Sequence, residues 1–349
     1  PVELTIQLEE SENENMKITE AEKIQGAGIV DACADVVTTL YQRSNQLPLL
    51  IGIGMPGLKT KDQRGIAVIK NGPRIPRFSD KLDEKLEQRG ISLLVSIQKL
   101  GSDAEYCSIG EEYGQGGLFK NIRNGYYLGG GTGAADGLKL NGKLVSFDQS
   151  KEWIAKTWEM KNETGASIEK YVSAKGIQAL FGTYSNISME QLEDEKIYLN
   201  EILQIAIDGE EYAIKTWEDI ISNLSQLLFE RILTIHSGWQ ESFTITHSTQ
   251  RMLKKNHQYR GTLLERIVIG QRLGELFANP AAEEFLLQPL CNKLGELILN
   301  SASLPMNAKE HYLYSQKFNL NLFKISRLRE APILGAGIDA YFSWRESCQ

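Results

Sequence analysis

The first third of the chain alternates between patterns typical of strands and patterns typical of helices. Apolar and polar residues alternate over residues 2–8, which predicts a strand. Thr19 and Glu22 form a capping-box pattern, and apolar residues then recur at helical spacing from Ile24 to Leu40. The next predicted elements are a strand, a polar helix and a strand, at residues 49–54, 79–89 and 91–97. This order predicts an α/β sheet covered by helices.

An acidic residue follows the last of these strands. Residues 91–97 lead into Gly101, Ser102 and Asp103, and residues 104–112 have a helical pattern. Ligands of open α/β sheets bind beyond the carboxyl ends of the strands, so Asp103 is well placed for chemistry. A helix N-cap is the structural alternative for Asp103, and the two roles are compatible.

A run of glycines interrupts two short apolar stretches in the middle of the chain. Residues 126–128 are aromatic or apolar, and the turn that follows consists of Gly129, Gly130, Gly131, Thr132 and Gly133. The pattern continues to Asn141-Gly142 and predicts a β-hairpin. Glycines let backbone N–H groups approach an anion, and threonine adds a hydroxyl, which favours a phosphate-binding turn. It is not a P-loop, because no Gly-Lys-Ser/Thr follows, and a flexible glycine turn without a ligand is the alternative.

The remainder of the chain is predicted to be mostly helical. Helical patterns occur at residues 151–160, 167–181, 188–207, 214–235, 283–299 and from residue 332 onward. Residues 266–269 predict one more strand, and the polar residues 237–261 predict a long loop or insertion. We interpret Asp136 as a turn residue, and Trp153 and Trp158 either as core aromatics or as rings that stack on a ligand.

Length, charge and cysteine usage narrow the function classes. The chain has 349 residues, 42% of them hydrophobic, which predicts two domains with a cleft between them. The formal net charge of -7 argues against a nucleic-acid partner. Four scattered cysteines without a C-x-x-C pair indicate a reduced intracellular protein and supply no metal framework. The most apolar segment, residues 47–58, is too short to span a membrane, so a soluble cytoplasmic protein is expected.

Several short segments form a series of motifs along the chain. They are residues 51–57, Asn71-Gly72-Pro73, Ser102-Asp103-Ala104, Gly110-Glu111, Gly131-Thr132-Gly133, residues 168–173, residues 267–270 and Gly335-Ala336. Taken together, these motifs resemble the ROK family of sugar kinases and their relatives. The resemblance implies a two-lobed ribonuclease-H-like or actin-like ATPase fold of the α/β class, with an interdomain cleft. It implies an N-terminal lobe of residues 1–104 and 332–349, and a C-terminal lobe of residues 105–331 with a helical insertion around 185–262.

The same resemblance implies an activity and a set of site residues. The activity is transfer of the γ-phosphoryl group of ATP, with Mg²⁺, to a hydroxyl of a sugar or a sugar-like polyol such as a cyclitol. Asp103 would be the general base that accepts the hydroxyl proton. The other implied site residues are Gly131, Thr132, Gly133, Gly270 and Gln271 for the nucleotide, and Asn71, Ser102 and Glu169 for the acceptor. For Glu169 the alternative is a solvent-facing carboxylate in the first turn of a helix. Family-level grounds imply a homodimer.

The chain departs from the family pattern in several places. The Asp-x-Gly-Gly-Thr phosphate loop, the Glu-x-Gly-His segment and the zinc-binding cysteines have no counterpart in this chain, and Ser102 replaces the family's Asn. We therefore expect no structural zinc, and poor activity on glucose, mannose and N-acetylated hexosamines. A sugar-sensing regulator and a catalytically inactive binding or scaffold protein are the alternatives to a kinase.

Overall fold

The structure, a computed structural model, describes residues 2–13, 15–69, 72–147, 149–245 and 253–348. The chain divides into two compact units. The first unit contains Pro1–Gly110 and Pro332–Gln349, and the second contains Glu111–Ala331.

Helices make up most of the secondary structure. In chain order they are α1 (Leu4–Glu12), α2 (Glu20–Arg43), α3 (Phe78–Gln88), α4 (Asp103–Tyr113), α5 (Glu169–Val172), α6 (Ala174–Ser185), α7 (Met189–Asp194), α8 (Leu199–Ile207), α9 (Glu211–Ser237), α10 (Gln271–Phe277), α11 (Pro280–Ala282), α12 (Gln288–Asn300), α13 (Met306–Tyr312) and α14 (Ala331–Ser347). Single 3₁₀ or π turns lie at Thr157–Glu159, Glu283–Leu287 and Leu320–Leu322. Among the described residues, no helix is both long and apolar enough to cross a membrane.

The strands are mostly short. In chain order they are β1 (Ile53–Gly54), β2 (Leu58–Lys59), β3 (Ile66–Val68), β4 (Leu100–Gly101), β5 (Gly125–Gly130), β6 (Ala134–Leu140), β7 (Lys143–Leu144), β8 (Met160–Lys161), β9 (Thr244–Ile245), β10 (Arg266–Gly270), β11 (Leu313–Tyr314), β12 (Lys317–Phe318) and β13 (Phe323–Ile325).

The first unit packs helices on two short strand pairs. β1 and β4 are parallel, with Ile53 beside Leu100, and β2 and β3 are antiparallel. Thr19 and Glu22 form the predicted capping box at the start of α2, because the Thr19 side chain accepts the Glu22 N–H and the Glu22 carboxylate accepts the Thr19 N–H. Apolar side chains of α2, α3 and the residues around β3 form the core of this unit.

The strand predicted at residues 2–8 is wrong, because helix α1 occupies this segment. The helix buries Gln7 instead of an apolar side chain. The side-chain amide of Gln7 donates to the Val2 carbonyl (2.7 Å) and accepts the Ile69 N–H (2.9 Å). Ile69 directly follows β3. Because Gln7 bonds to backbone groups of Val2 and Ile69, it determines which face of α1 is buried.

The strand predicted at residues 91–97 is also largely absent. This segment pairs only through an isolated bridge from Leu93 to Leu49. The Ile97 N–H donates to the carboxylate of Asp83 (3.2 Å). A side chain on α3 therefore holds the end of this segment in place of a strand ladder.

The second unit is organised around a mixed sheet that, within the described residues, has five strands in the order β13-β10-β5-β6-β7. β10 is parallel to β5 and to β13, whereas β6 is antiparallel to both β5 and β7. The predicted glycine hairpin is confirmed as β5 and β6, and the predicted strand at residues 266–269 as β10. The long helix α9 packs against α6, α8 and α12 beside this sheet.

Residues 151–160 do not form the predicted helix. They contain the 3₁₀ turn Thr157–Glu159 and lead into β8, which pairs with β9. Backbone groups in this segment are bonded to distant side chains, since the Ala155 carbonyl accepts a hydrogen bond from Arg231 (2.6 Å) and the Thr157 N–H donates to Asp136 (2.7 Å). These bonds replace the i to i+4 pattern of a helix. The helix predicted at residues 188–207 is likewise divided, into α7 and α8.

Candidate functional site

The turn of the glycine hairpin, between β5 and β6, combines backbone N–H groups that are hydrogen-bonded within the protein with N–H groups that are not. The Gly131 N–H donates to the Gly133 carbonyl (3.0 Å), and the Ala134 N–H donates to Oε1 of Glu169 (3.0 Å). In the part of the chain that the structure describes, the amides of Thr132 and Gly133 have no hydrogen-bond partner. Thr132 is exposed. Two backbone donors and one hydroxyl at the tip are therefore open to a ligand.

Close packing accounts for the glycines beside this tip. A Cβ atom at Gly130 would lie 2.4 Å from the carbonyl oxygen of Val172, so only glycine fits there. A Cβ atom at Gly131 would lie 2.6 Å from Oε1 of Gln271, which is the end of a flexible side chain and can move. This close packing does not require a ligand. The observation that favours a ligand-binding turn is the pair of unbonded amides at Thr132 and Gly133.

The end of β10 brings Gly270 and Gln271 beside the hairpin. The register of β10 and β5 pairs Gly270 with Gly129. Helix α10 begins at Gln271, whose φ of 57° lies in the left-handed region that is uncommon for residues other than glycine. The Gln271 side chain lies against Gly129 and Gly131. The residues that we expected at the nucleotide are thus brought together in the second unit.

Glu169, the first residue of α5, is half-buried and faces the hairpin. Its Oε1 accepts the Ala134 N–H (3.0 Å) and would lie 2.7 Å from a Cβ atom at Gly133. The structure therefore places Glu169 against the tip and not in solvent. An anion at the open amides would lie near this carboxylate, so binding is favoured when a cation accompanies the anion.

Ser102 and Asp103 lie at the carboxyl end of β4 in the first unit. The Ser102 carbonyl accepts the Tyr106 N–H (3.0 Å), and Asp103 is the first residue of α4. The Asp103 side chain is exposed, and its Oδ1 accepts the N–H of Ala104 (3.0 Å). A carboxylate beyond a strand end and a polar group at the start of a helix are both found at this position. Asn71, the remaining residue expected at the acceptor, lies outside the described residues.

The ring of Tyr106, which sequence reasoning missed, covers the ends of β1 and β4. A Cβ atom at Gly101 would lie 2.1 Å from this ring and one at Gly54 would lie 2.9 Å from it. The Tyr106 hydroxyl donates to Oδ2 of Asp339 on α14 (3.2 Å). Burial, together with the charge of Asp339, raises the pKa of the Tyr106 hydroxyl, which therefore remains a donor. This ring packs α4 against the ends of β1 and β4.

A set of buried polar side chains joins the hairpin to α9, and we call Asp136, Tyr126, Thr157 and Arg231 the buried network. Oδ1 of Asp136 accepts the hydroxyls of Tyr126 and Thr157 (both 2.7 Å) and the Arg231 guanidinium (2.8 Å). Oδ2 of Asp136 accepts the Thr157 N–H (2.7 Å). Our interpretation of Asp136 as a turn residue is wrong. It lies within β6 and is 4% exposed, which its ion pair with Arg231 makes possible.

Sequence reasoning missed the buried network because its members are far apart in the chain. Two signals were present, since Asp136 interrupts the apolar pattern of one hairpin strand and Arg231 interrupts an apolar stretch of a long helix. Charged residues in such positions are rarely buried unless they are paired. Of the two tryptophans, Trp153 is buried and contacts the ring of Tyr259, whereas Trp158 is 44% exposed.

Comparisons with known proteins identify the fold of this chain. No protein-family model matches the chain, and a search of curated proteins found no match. Among solved structures, a ROK hexokinase from Thermus thermophilus matches with a TM-score of 0.56 and 14% identity, over 92% of this chain and 88% of that chain. A ROK family glucokinase from Streptomyces griseus, in complex with glucose and AMPPNP, matches with a TM-score of 0.55 and 15% identity, over 90% and 88%.

A ROK family transcriptional regulator, a homologue of the E. coli MLC protein, also matches, with a TM-score of 0.52 and 14% identity. This match covers 90% of this chain and 69% of that chain. At such low identities the similarity concerns the fold. The chain has the α/β actin-like ATPase fold of ROK proteins, with a mixed central sheet, which confirms the fold class expected from the sequence.

Proposed function

We propose, from the ROK-type fold of this chain, that the protein is an ATP-dependent phosphotransferase acting on a hydroxyl of a sugar or a sugar-like polyol such as a cyclitol. The observation that carries the proposal is the hairpin tip, where the amides of Thr132 and Gly133 are open and the side chains of Glu169 and Gln271 lie on either side. Backbone donors at a glycine turn hold phosphate oxygens without a side-chain charge.

On the nucleotide side, the two open amides and the Thr132 hydroxyl would hold oxygens of the transferred phosphoryl group. Gly270 and Gln271 would contact the rest of the nucleotide, since they lie beside the same hairpin. Mg²⁺, when bound with the phosphates, supplies charge neutralisation.

On the acceptor side, Asp103 would take the proton of the attacking hydroxyl. Its carboxylate is exposed, and its bond to the Ala104 N–H leaves Oδ2 available. Ser102, Asn71 and Glu169 would bind other hydroxyls of the acceptor. A general base of this kind contributes roughly 10²–10⁴-fold to the rate.

A sugar-sensing or scaffold protein without catalytic activity is the second candidate. It is favoured by the missing family motifs and by the close packing that accounts for Gly130 without a ligand. The kinase and this candidate differ in whether the hairpin tip binds ATP.

Calorimetric titration with ATP and Mg²⁺ tests the proposal. Gly131→Val should abolish binding, because the added side chain lies at the tip where phosphate oxygens would approach. Gly28→Val is the matched control, since a Cβ atom at Gly28 on α2 meets no other atom within 4 Å. Equal affinity in the wild-type protein and Gly131→Val, or no binding in either, would contradict the proposal.

A further inference from the structure

The segment from Thr157 to Glu169 is attached to strand β6 at both of its ends. At one end, the Thr157 N–H and hydroxyl both donate to Asp136 (2.7 Å each). At the other end, the Glu169 carboxylate accepts the Ala134 N–H (3.0 Å). The two attachment points are two residues apart on the same strand. The segment therefore forms a closed loop on the hairpin, which we call the bracing loop.

The bracing loop is also bonded to itself. The Ile168 N–H donates to the Met160 carbonyl (2.9 Å), and the Ser167 hydroxyl donates to the Trp158 carbonyl (3.1 Å). These bonds connect the residues next to Thr157 with the residues next to Glu169. A displacement at the Asp136 end must consequently move the Glu169 end, because the intervening backbone is cross-linked by hydrogen bonds.

The buried network holds the first end in a single geometry. The Arg231 guanidinium is fully buried, donates to the Ala155 carbonyl (2.6 Å) and to Asp136 (2.8 Å), and lies over the ring of Tyr126 (5.4 Å). Buried charges are tolerated only when they are paired and hydrogen-bonded in good geometry. Alternative positions of Thr157 would break this pairing, so the network selects one position for the bracing loop.

We propose that the buried network is a positioning device that holds the Glu169 carboxylate against the hairpin tip. The residues of the network are buried, so they act through the bracing loop and not by contact with a ligand. Only one consequence of this inference rests on the proposed function, namely that acceptor binding at Glu169 depends on the buried network. The coupling of the buried network to Glu169 through the bracing loop does not depend on any activity.

Hydrogen exchange of the Ala134 amide measures the link directly in the full chain, without ligand. Thr157→Val removes the hydroxyl but keeps nearly the same shape, and it should accelerate exchange at Ala134 roughly tenfold. Thr216→Val is the matched control, because it makes the same substitution at a buried threonine of α9 whose hydroxyl donates to the Tyr212 carbonyl (2.8 Å) and not to the network or the bracing loop. Glu169→Ala, which deletes the acceptor itself, gives the upper limit of the acceleration.

The expected result is faster exchange at Ala134 in Thr157→Val than in Thr216→Val, at equal resistance to global unfolding. An exchange rate in Thr157→Val equal to that of the wild type, or the same acceleration in both variants, would overturn the proposal. In turnover assays Thr157→Val should raise KM for the acceptor severalfold and leave KM for ATP unchanged. A wild-type protein without kinase activity would refute the proposed function alone, since the exchange measurement still decides the link.

Discussion

The two regions that hold the predicted site residues are built very differently. In the second unit, the hairpin strands β5 and β6 have six and seven residues, are almost wholly buried, and are braced at the turn by Glu169. In the first unit, β1 and β4 have two residues each, and Asp103 is exposed beyond them. The difference teaches that the proposed phosphate-binding turn is set in a regular buried sheet, whereas the proposed base lies exposed at the start of a helix.

Replacing one buried arginine in each unit should give the largest difference in stability between the two units. Arg231→Met should lower the free energy of unfolding by about 3–5 kcal/mol, because it leaves the Asp136 carboxylate buried without its partner. Arg74→Met in the first unit should cost less. Arg74 is also buried, but its partner Glu10 is 18% exposed, so this carboxylate can be hydrated when the arginine is lost. Urea denaturation of both variants measures the difference, and equal losses would contradict the contrast between the units.

Neighbouring glycines of the hairpin should respond differently to the same added methyl group. Gly130→Ala should cost about 1–3 kcal/mol, because the new Cβ atom would overlap the Val172 carbonyl and force a backbone shift. Gly131→Ala should cost less, because the contact is with the movable end of Gln271. Thermal unfolding of the two variants decides, and the reverse order would mean that the turn is packed differently.

Acid should weaken the first unit through one identified carboxylate. Hydrogen bonds from Arg74 lower the pKa of Glu22 from 4.5 to about 2, against the opposing effect of burial. Because the folded-state pKa is the lower one, the stabilisation is complete above pH 4.5 and is lost as the pH falls toward 2. The loss should be about 3 kcal/mol. Glu22→Gln should flatten the pH dependence in that window, and an unchanged acid transition would count against this assignment.

The hydroxyl of Tyr106, whose ring packs α4 against the ends of β1 and β4, should have the smallest effect. Tyr106→Phe keeps the ring over Gly101 and removes only the hydrogen bond to Asp339, so it should cost about 1 kcal/mol. Chemical denaturation measures this loss. A loss above about 3 kcal/mol would show that the hydroxyl, and not the ring, holds the strand ends.

Sequence reasoning succeeded where partners are close in the chain. The hairpin was predicted because its strands are separated only by residues 131–133 and its turn residues have a known conformational role. The capping box of α2 was predicted for the same reason, since Thr19 and Glu22 are three residues apart. Asp103 was placed beyond a strand predicted at residues 91–97, whereas the strand that precedes it is the two-residue β4.

Sequence reasoning failed where distant side chains decide the local structure. Asp136 and Arg231 are 95 residues apart. Because they pair, Asp136, which we expected in a turn, is buried within strand β6. The same network prevents a helix at residues 151–160, because it takes up backbone groups of that segment. Residues 2–8 were assigned to a strand because alternation alone does not reveal that Gln7 bonds to Ile69.

The central claim is that this chain transfers phosphate from ATP to a sugar-like hydroxyl with Asp103 as the base. The most direct measurement is ADP release with a panel of sugars and cyclitols, comparing the wild type with Asp103→Asn. We predict turnover on at least one acceptor other than glucose, mannose or N-acetylated hexosamines, reduced roughly 10²–10⁴-fold in Asp103→Asn. The variant should unfold at the same temperature, because Asp103 is exposed. No turnover on any acceptor, or undiminished turnover in Asp103→Asn, would contradict the account.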